Sequence, residues 1–209
     1  MNIKRFALGT LWTNCYLLWD ANGDGFIVDP GGPAEDVEKF ICDNDIKISW
    51  IILTHGHSDH IGGVAELCNL SENGVAIHCE DADCLGCAEK NLSSYMGSRI
   101  EIAAADRLLR DGDELAVGTM KLSVIHTPGH TLGGICVLVK DGDEAFLISG
   151  DTLFARSVGR SDLPGGDEDT LIESLKKLDG FPDKMRVFPG HGPETTIGAE
   201  KMYNPYWPK

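Results

Sequence analysis

Trp50-Ile51-Ile52-Leu53-Thr54-His55-Gly56-His57-Ser58-Asp59-His60-Ile61-Gly62-Gly63 is the stretch whose reading decides the fold. Trp50 to Leu53 is short and apolar, the pattern of a buried strand, and Ile61 to about Leu70 has the pattern of a helix. The polar run between them therefore falls on a strand-to-helix loop, where a rigid scaffold presents functional groups. His55 and His57 are two apart, so in extended backbone they project to the same side. His60 follows where the chain turns into the helix. Three imidazoles and a carboxylate within six residues supply the nitrogen and oxygen donors that zinc and iron accept. Alone, Asp59 would read as a helix N-cap and each histidine as an ordinary core or surface residue. Burying the whole cluster without an ion to organise it is costly, so metal binding is expected.

Working outward, three further residues share this setting. His130 lies in Thr127-Pro128-Gly129-His130-Thr131, Asp151 in Ser149-Gly150-Asp151-Thr152, and His191 in Phe188-Pro189-Gly190-His191-Gly192. Each follows an apolar strand and has glycine immediately before it. Any one could be a turn residue; three in one context beside the first cluster point to a common site.

The remaining pattern supplies the scaffold. Cys15 to Trp19 and Gly25 to Asp29 read as a β-hairpin around Ala21-Asn22-Gly23-Asp24, and the apolar run before Thr13 reads as a first strand. A helix is expected from Pro33 to about Asn44, with Val37, Phe40 and Ile41 on one face. Val75 to His78 is a strand, and Asp81 to about Tyr95 reads as one or two helices. Leu108 to Leu115 and Met120 to Thr127 read as strands. Ile135 to Val139 and Ala145 to Ser149 form a second hairpin, Thr170 to Leu178 a helix, and Val187 to Phe188 a last strand. Two halves, each strand-rich and then helical, predict an α/β protein with two facing sheets and helices outside, in one domain over residues 1–209.

Composition agrees and sets limits. With 209 residues, 42% of them hydrophobic, 24% charged and 25 glycines, the chain fits a loop-rich globular protein. A net charge of -15 with no Lys/Arg cluster argues against a nucleic-acid partner. No stretch approaches the roughly 20 apolar residues of a membrane span. The seven cysteines are odd in number and lack disulfide spacing, so free thiols in a reducing cytoplasm are expected. Cys84 and Cys87 form a C-x-x-C with no matching second pair.

H-x-H-x-D-H followed by separate His, Asp and His resembles the metallo-β-lactamase superfamily, from Asn14-Cys15-Tyr16 to Asn204-Pro205-Tyr206. Within it, Gly150-Asp151-Thr152-Leu153-Phe154 and Gly159-Arg160-Ser161-Asp162-Leu163-Pro164-Gly165-Gly166-Asp167 look like the compact glyoxalase II-like hydrolases of bacteria. These resemble the catalytic domain of hydroxyacylglutathione hydrolase.

The resemblance implies a four-layer αββα sandwich and a binuclear site of two divalent metals. Zinc is expected, with iron or manganese as alternatives. It implies a first metal on His55, His57 and His130, a second on Asp59, His60 and His191, and Asp151 bridging them together with a hydroxide. Asp59 is then the catalytic acid that orients the nucleophile or accepts its proton. The implied substrate is a small acyl thioester such as S-lactoylglutathione, and Arg156 and Arg160 are candidates to meet an anionic part of it. Tyr203, Tyr206 and Trp207 would cover the site or pack the tail. Full-length glyoxalase II enzymes gain glutathione contacts from a C-terminal helical domain that this sequence is expected to lack. The same pattern also resembles persulfide dioxygenases, which use one iron, here on His55, His130 and Asp151; the Phe154 to Pro164 segment favours the hydrolase.

Overall fold

The computed structural model describes residues 1–208. Its first half lays β1 (Asn2–Leu8), β2 (Thr13–Trp19), β3 (Asp24–Val28), β4 (Lys47–Ile52), β5 (Val75–His78) and β6 (Arg107–Leu109) side by side in chain order. The second half builds another six-stranded sheet from β7 (Glu114–Val117), β8 (Met120–His126), β9 (Ile135–Asp141), β10 (Glu144–Gly150), β11 (Arg186–Pro189) and β12 (Thr195–Thr196). Pairing is antiparallel at the hairpins and parallel where a helix crosses over, from β3 to β4, β4 to β5 and β10 to β11, and also from β5 to β6, whose connection carries only 3-10 turns.

Alternation along the strands sorts their side chains into layers. Tyr16, Leu18, Phe26, Val28 and Ile52 of the first sheet meet Leu122, Val124, Val137, Phe146 and Ile148 of the second in a dry central core. The opposite faces carry Leu17, Ile27 and Ile51 under helix α1 (Glu35–Asp43), and Leu138, Leu147 and Val187 under α4 (Glu168–Lys176) and α5 (Ile197–Tyr203). The result is four layers, helix, sheet, sheet, helix. Helix α1 is held by Val37 and Ile41 on its buried face, and cutting Ile41 to alanine there would cost about 2–5 kcal/mol.

Four expectations need correction. Asp81 to Tyr95 forms no α-helix: two 3-10 turns, Cys79–Cys84 and Ser93–Met96, lie there instead. The buried Asn91 side chain bonds Cys84 O, Ile100 O and Ser93 N, so local side-chain bonds replace the helical ladder. Leu108 to Leu115 is not one strand, because a turn at Asp111-Gly112, with Gly112 at φ 79°, passes the chain from β6 in one sheet to β7 in the other. The helix expected from Ile61 begins at Ser58 and breaks into α2 (Ser58–Ile61) and α3 (Val64–Leu67), followed by a 3-10 turn. Helix α5 and strand β12 were not foreseen. Among the described residues no helix is long and apolar enough to cross a membrane.

Candidate metal centre

The strands β3, β4, β8, β10 and β11 all deliver their C-terminal ends to one edge of the sandwich, and the loops that follow bring seven expected residues together. His55, His57 and His130 place donor atoms within 4.8 Å of one another, and so do Asp59, His60 and His191. Asp151 lies between the two groups, with Oδ1 3.5 Å from His60 Nε2 and Oδ2 3.6 Å from both His130 Nε2 and His191 Nε2. Close approach is built in: Gly150 sits at φ 48° with Thr54 where a Cβ would go, and a Cβ on Gly190 would lie 2.2 Å from Asp151 Oδ1.

The outer ring nitrogens show which way each imidazole presents its lone pair. His60 Nδ1 donates to Asp29 Oδ2 at 2.9 Å, His130 Nδ1 to the Arg160 carbonyl at 2.7 Å, and His191 Nδ1 to the Leu11 carbonyl at 3.2 Å. His55 Nδ1 donates to Thr54 Oγ1 at 3.2 Å, whose own proton goes to Asp29 Oδ2. Each of these four histidines is left with an acceptor Nε2, and His57 turns Nδ1 to the same centre. Those inward nitrogens crowd one another: His57 Nδ1 is 3.1 Å from His55 Nε2 and 3.0 Å from His130 Nε2, and His60 Nε2 is 3.3 Å from His191 Nε2. Acceptors facing acceptors need something positive between them. Asp151 Oδ1 adds to this, being the one buried side-chain polar atom without a hydrogen-bond partner among the described residues. A donor set of five imidazoles and two carboxylates, with four of the imidazoles anchored through their outer nitrogens, fits divalent metal ions.

Titration behaviour follows from the same geometry. Burial and then the neighbouring histidines push His55 well below its ordinary value, and burial with His130 lowers His57 to about 3. Both are therefore neutral, as ligands must be. Burial opposes charge on His60, yet Asp151, Asp59 and Asp29 together raise it to about 10. Burial likewise works against an ionised Asp59, but His60 and His191 hold it well below the usual carboxylate range. The acids thus draw positive charge to the centre.

Two positioning acids escaped the sequence reading. Asp29 binds Thr54 N at 2.8 Å besides the Thr54 hydroxyl and His60, so it orients two of the histidines. Asp81, buried in the 3-10 turn, ties two ligand-bearing loops together. Its Oδ2 accepts from Gly56 N at 3.0 Å and from the Thr131 hydroxyl at 2.7 Å, and its Oδ1 accepts from Gly133 N at 2.7 Å. Asn14 and Tyr16 brace the third loop through Pro189 and Gly192 carbonyls.

The centre forms the floor of an open cleft of about 790 Å³. Arg160 lines this cleft, but its guanidinium is held by Asp162 at 2.7 and 2.8 Å. Arg156 is not among the cleft residues; its guanidinium stacks on Tyr203 and its backbone N donates to Glu200, contacts that tie its loop to α5. Trp207 packs into the core beneath α4 and donates to Asp179, so the tail serves packing. All seven cysteines are free, and the metal-capable clusters among the described residues contain none of them. Burial and Asp81 push the Cys84 thiol up to about 12, which makes it inert.

Comparison with known proteins accords with this geometry. The Lactamase_B profile, described as the metallo-beta-lactamase superfamily, matches residues 9–191. "Probable metallo-hydrolase YqgX" of Bacillus subtilis is 35% identical, with 99% of this chain and 97% of that protein covered. "Hydroxyacylglutathione hydrolase GloC" of Haemophilus influenzae is 34% identical over 99% of this chain and 98% of its own. Among solved structures, BLEG-1 B3 metallo-beta-lactamase superposes with a TM-score of 0.92 at 38% identity, covering 100% of both chains. TTHA1623, in a di-iron-bound form, gives 0.83 at 34% identity over 97% and 99%. ETHE1 from Myxococcus xanthus gives 0.76 at 28% identity over 98% and 84%. The fold, the converging donors and the profile over nearly the whole chain lead to one statement: this chain belongs to the metallo-beta-lactamase superfamily.

Proposed function

We propose that this protein is a binuclear metallo-hydrolase of small acyl thioesters, of the hydroxyacylglutathione hydrolase kind. The observation that carries the reading is the orphaned Asp151 Oδ1 lying amid inward-facing imidazole nitrogens at the floor of an open cleft. His55, His57 and His130 would hold one cation, Asp59, His60 and His191 the other, and Asp151 would serve both. A bound pair of divalent cations, with zinc favoured, lowers the pKa of a shared water and so supplies a nucleophile at neutral pH.

The chain's own groups account for the rest. Asp59 receives the Thr13 hydroxyl on Oδ2 at 3.3 Å, which positions its carboxylate to orient the attacking water or receive its proton. The water oxygen bonds to the acyl carbon and the C–S bond breaks, giving a carboxylic acid and a thiol. A thiolate is a good leaving group, so the reaction does not depend on a general acid at the leaving position. The relative named for hydroxyacylglutathione hydrolysis supports this substrate class.

The test compares zinc-loaded and iron-loaded protein in two assays, thiol release from S-lactoylglutathione and oxygen consumption with glutathione persulfide. Thiol release by the zinc form is expected. Activity restricted to the iron form, with persulfide and oxygen alone, would replace this reading by a mononuclear persulfide dioxygenase using His55, His130 and Asp151.

A further inference from the structure

Above the metal centre the cleft is walled by Leu11, Leu92, Tyr95, Met96, Phe154 and Leu163. Leu11, Tyr95 and Met96 are 48%, 76% and 49% exposed, although nothing in the fold requires large apolar side chains there. Exposed apolar groups gathered at the mouth of a polar site mark a surface meant for an apolar ligand. Leu92 is held at φ 69°, a left-handed conformation that a leucine rarely adopts, and the segment that carries it is pinned by the buried Asn91. Strain kept at a cleft wall is a further sign that the wall has a purpose.

Charge points the same way. Arg160 is the one Lys or Arg lining the cleft, and Asp162 offsets its charge by accepting from Nε and Nη2. The chain as a whole carries a net charge of -15. A substrate arm bearing two carboxylates, as glutathione does, would find a single side-chain cation on these walls, already offset by Asp162, and would gain little for the hydration it gives up. A neutral apolar arm loses nothing and gains burial.

Resting on the thioesterase reading above, we propose that the cleft selects medium-chain apolar acyl thioesters with an uncharged thiol arm. The walls formed by Leu11, Tyr95 and Met96 receive the acyl chain, while the carbonyl is presented to the floor.

The experiment uses the zinc-loaded full chain and a series of N-acetylcysteamine thioesters, S-acetyl, S-butanoyl and S-hexanoyl, beside S-lactoylglutathione. Each added methylene should raise kcat/KM about fourfold, with S-hexanoyl ahead of S-lactoylglutathione. In Met96→Asp the dependence on chain length should flatten, with the loss concentrated in the S-hexanoyl substrate. A flat series in the unaltered protein, or a preference for S-lactoylglutathione, overturns the selectivity while leaving thioester hydrolysis intact. If no thioester is cleaved, hydrolysis itself fails, and calorimetry with the uncleavable S-hexyl and S-ethyl thioethers of N-acetylcysteamine then decides: tighter binding of the hexyl compound upholds an apolar cleft, and equal binding rejects it.

Discussion

Replacing Asp81 tests whether the centre depends on a residue that touches no proposed ligand. Asp81 is 2% exposed and accepts from two backbone N–H groups, Gly56 N and Gly133 N, and from the Thr131 hydroxyl. In Asp81→Ala the hydroxyl can turn elsewhere, but both N–H groups are stranded, at about 1–3 kcal/mol each, or roughly 2–6 kcal/mol together. For a chain of this size each kcal/mol shifts Tm by about 2–4 °C, so a fall of at least about 4 °C is expected in metal-free protein. Asp81→Asn keeps the shape yet turns an NH2 toward one N–H whichever way the amide faces, so it should fall between the two. Gly56 lies between His55 and His57, and Thr131 follows His130. Loosening their loops should therefore weaken the His55, His57 and His130 group about 10- to 100-fold for zinc. The Asp59, His60 and His191 group should be affected less. Thermal unfolding of the metal-free protein and zinc competition against a chromophoric chelator measure both effects. Unchanged affinity at both sites, with Tm within about 1 °C of the unaltered protein, would refute the reasoning.

Asp59→Ala and Asp151→Ala should each lower thioester hydrolysis by orders of magnitude while circular dichroism stays native, because both acids sit on loops at the sandwich edge; near-normal turnover in metal-loaded Asp59→Ala would remove it from the mechanism. Elemental analysis of the unaltered metal-loaded chain should find close to two ions, and a value near one would contradict the binuclear centre. Gly190→Ala places a methyl where Asp151 Oδ1 and His60 stand, 2.2 and 2.7 Å from its Cβ, so metal content should drop without loss of fold. The buried Asp20 provides a pH test. Burial alone would raise its pKa, but bonds from Thr119, Asn22 and Asp24 backbone N–H groups lower it. A carboxyl with a depressed folded pKa adds stability above its unfolded value of about 3.9 and loses it as pH falls through the lower folded value. Asp20→Asn should therefore have a lower Tm at pH 7 and a smaller deficit near pH 3; an equal deficit at both would refute the assignment.

How legible the site was depended on density. Four donors within His55 to His60 stand out in any chain, and Gly-His or Gly-Asp after an apolar run repeats often enough to be noticed at His130, Asp151 and His191. Asp29 and Asp81 did not stand out, because each is one acid among 33 and its role appears only when distant backbone is brought to it. The sandwich was readable from the apolar runs that became β2, β3, β9 and β10 and from the turn residues between them. The helix expected over Asp81 to Tyr95 failed because Asn91 captures the backbone there, which no periodicity reports. The turn at Asp111-Gly112 is written in the sequence as the polar run Arg110 to Glu114, which separates the apolar Leu108-Leu109 from Leu115 and so marks two strands rather than one. Helix α5 is a single short segment whose Thr196 cap, with Oγ1 3.3 Å from Ala199 N, gave the only local sign of its start.

The proposed ligands are divided between the two sheets, with His55, His57, Asp59 and His60 on the first half of the chain and His130, Asp151 and His191 on the second. During synthesis the first four leave the ribosome early, as a knuckle able to catch an ion but not to enclose it. The Asp59, His60 and His191 group cannot be completed until the loop after β11 has emerged, with His191 bonded to the Leu11 carbonyl and Asn14 bracing the Gly192 carbonyl. Metal capture would then be a late event in the protein's birth, coincident with the closing of the two halves, and the ions would act afterwards as rivets across the seam between them.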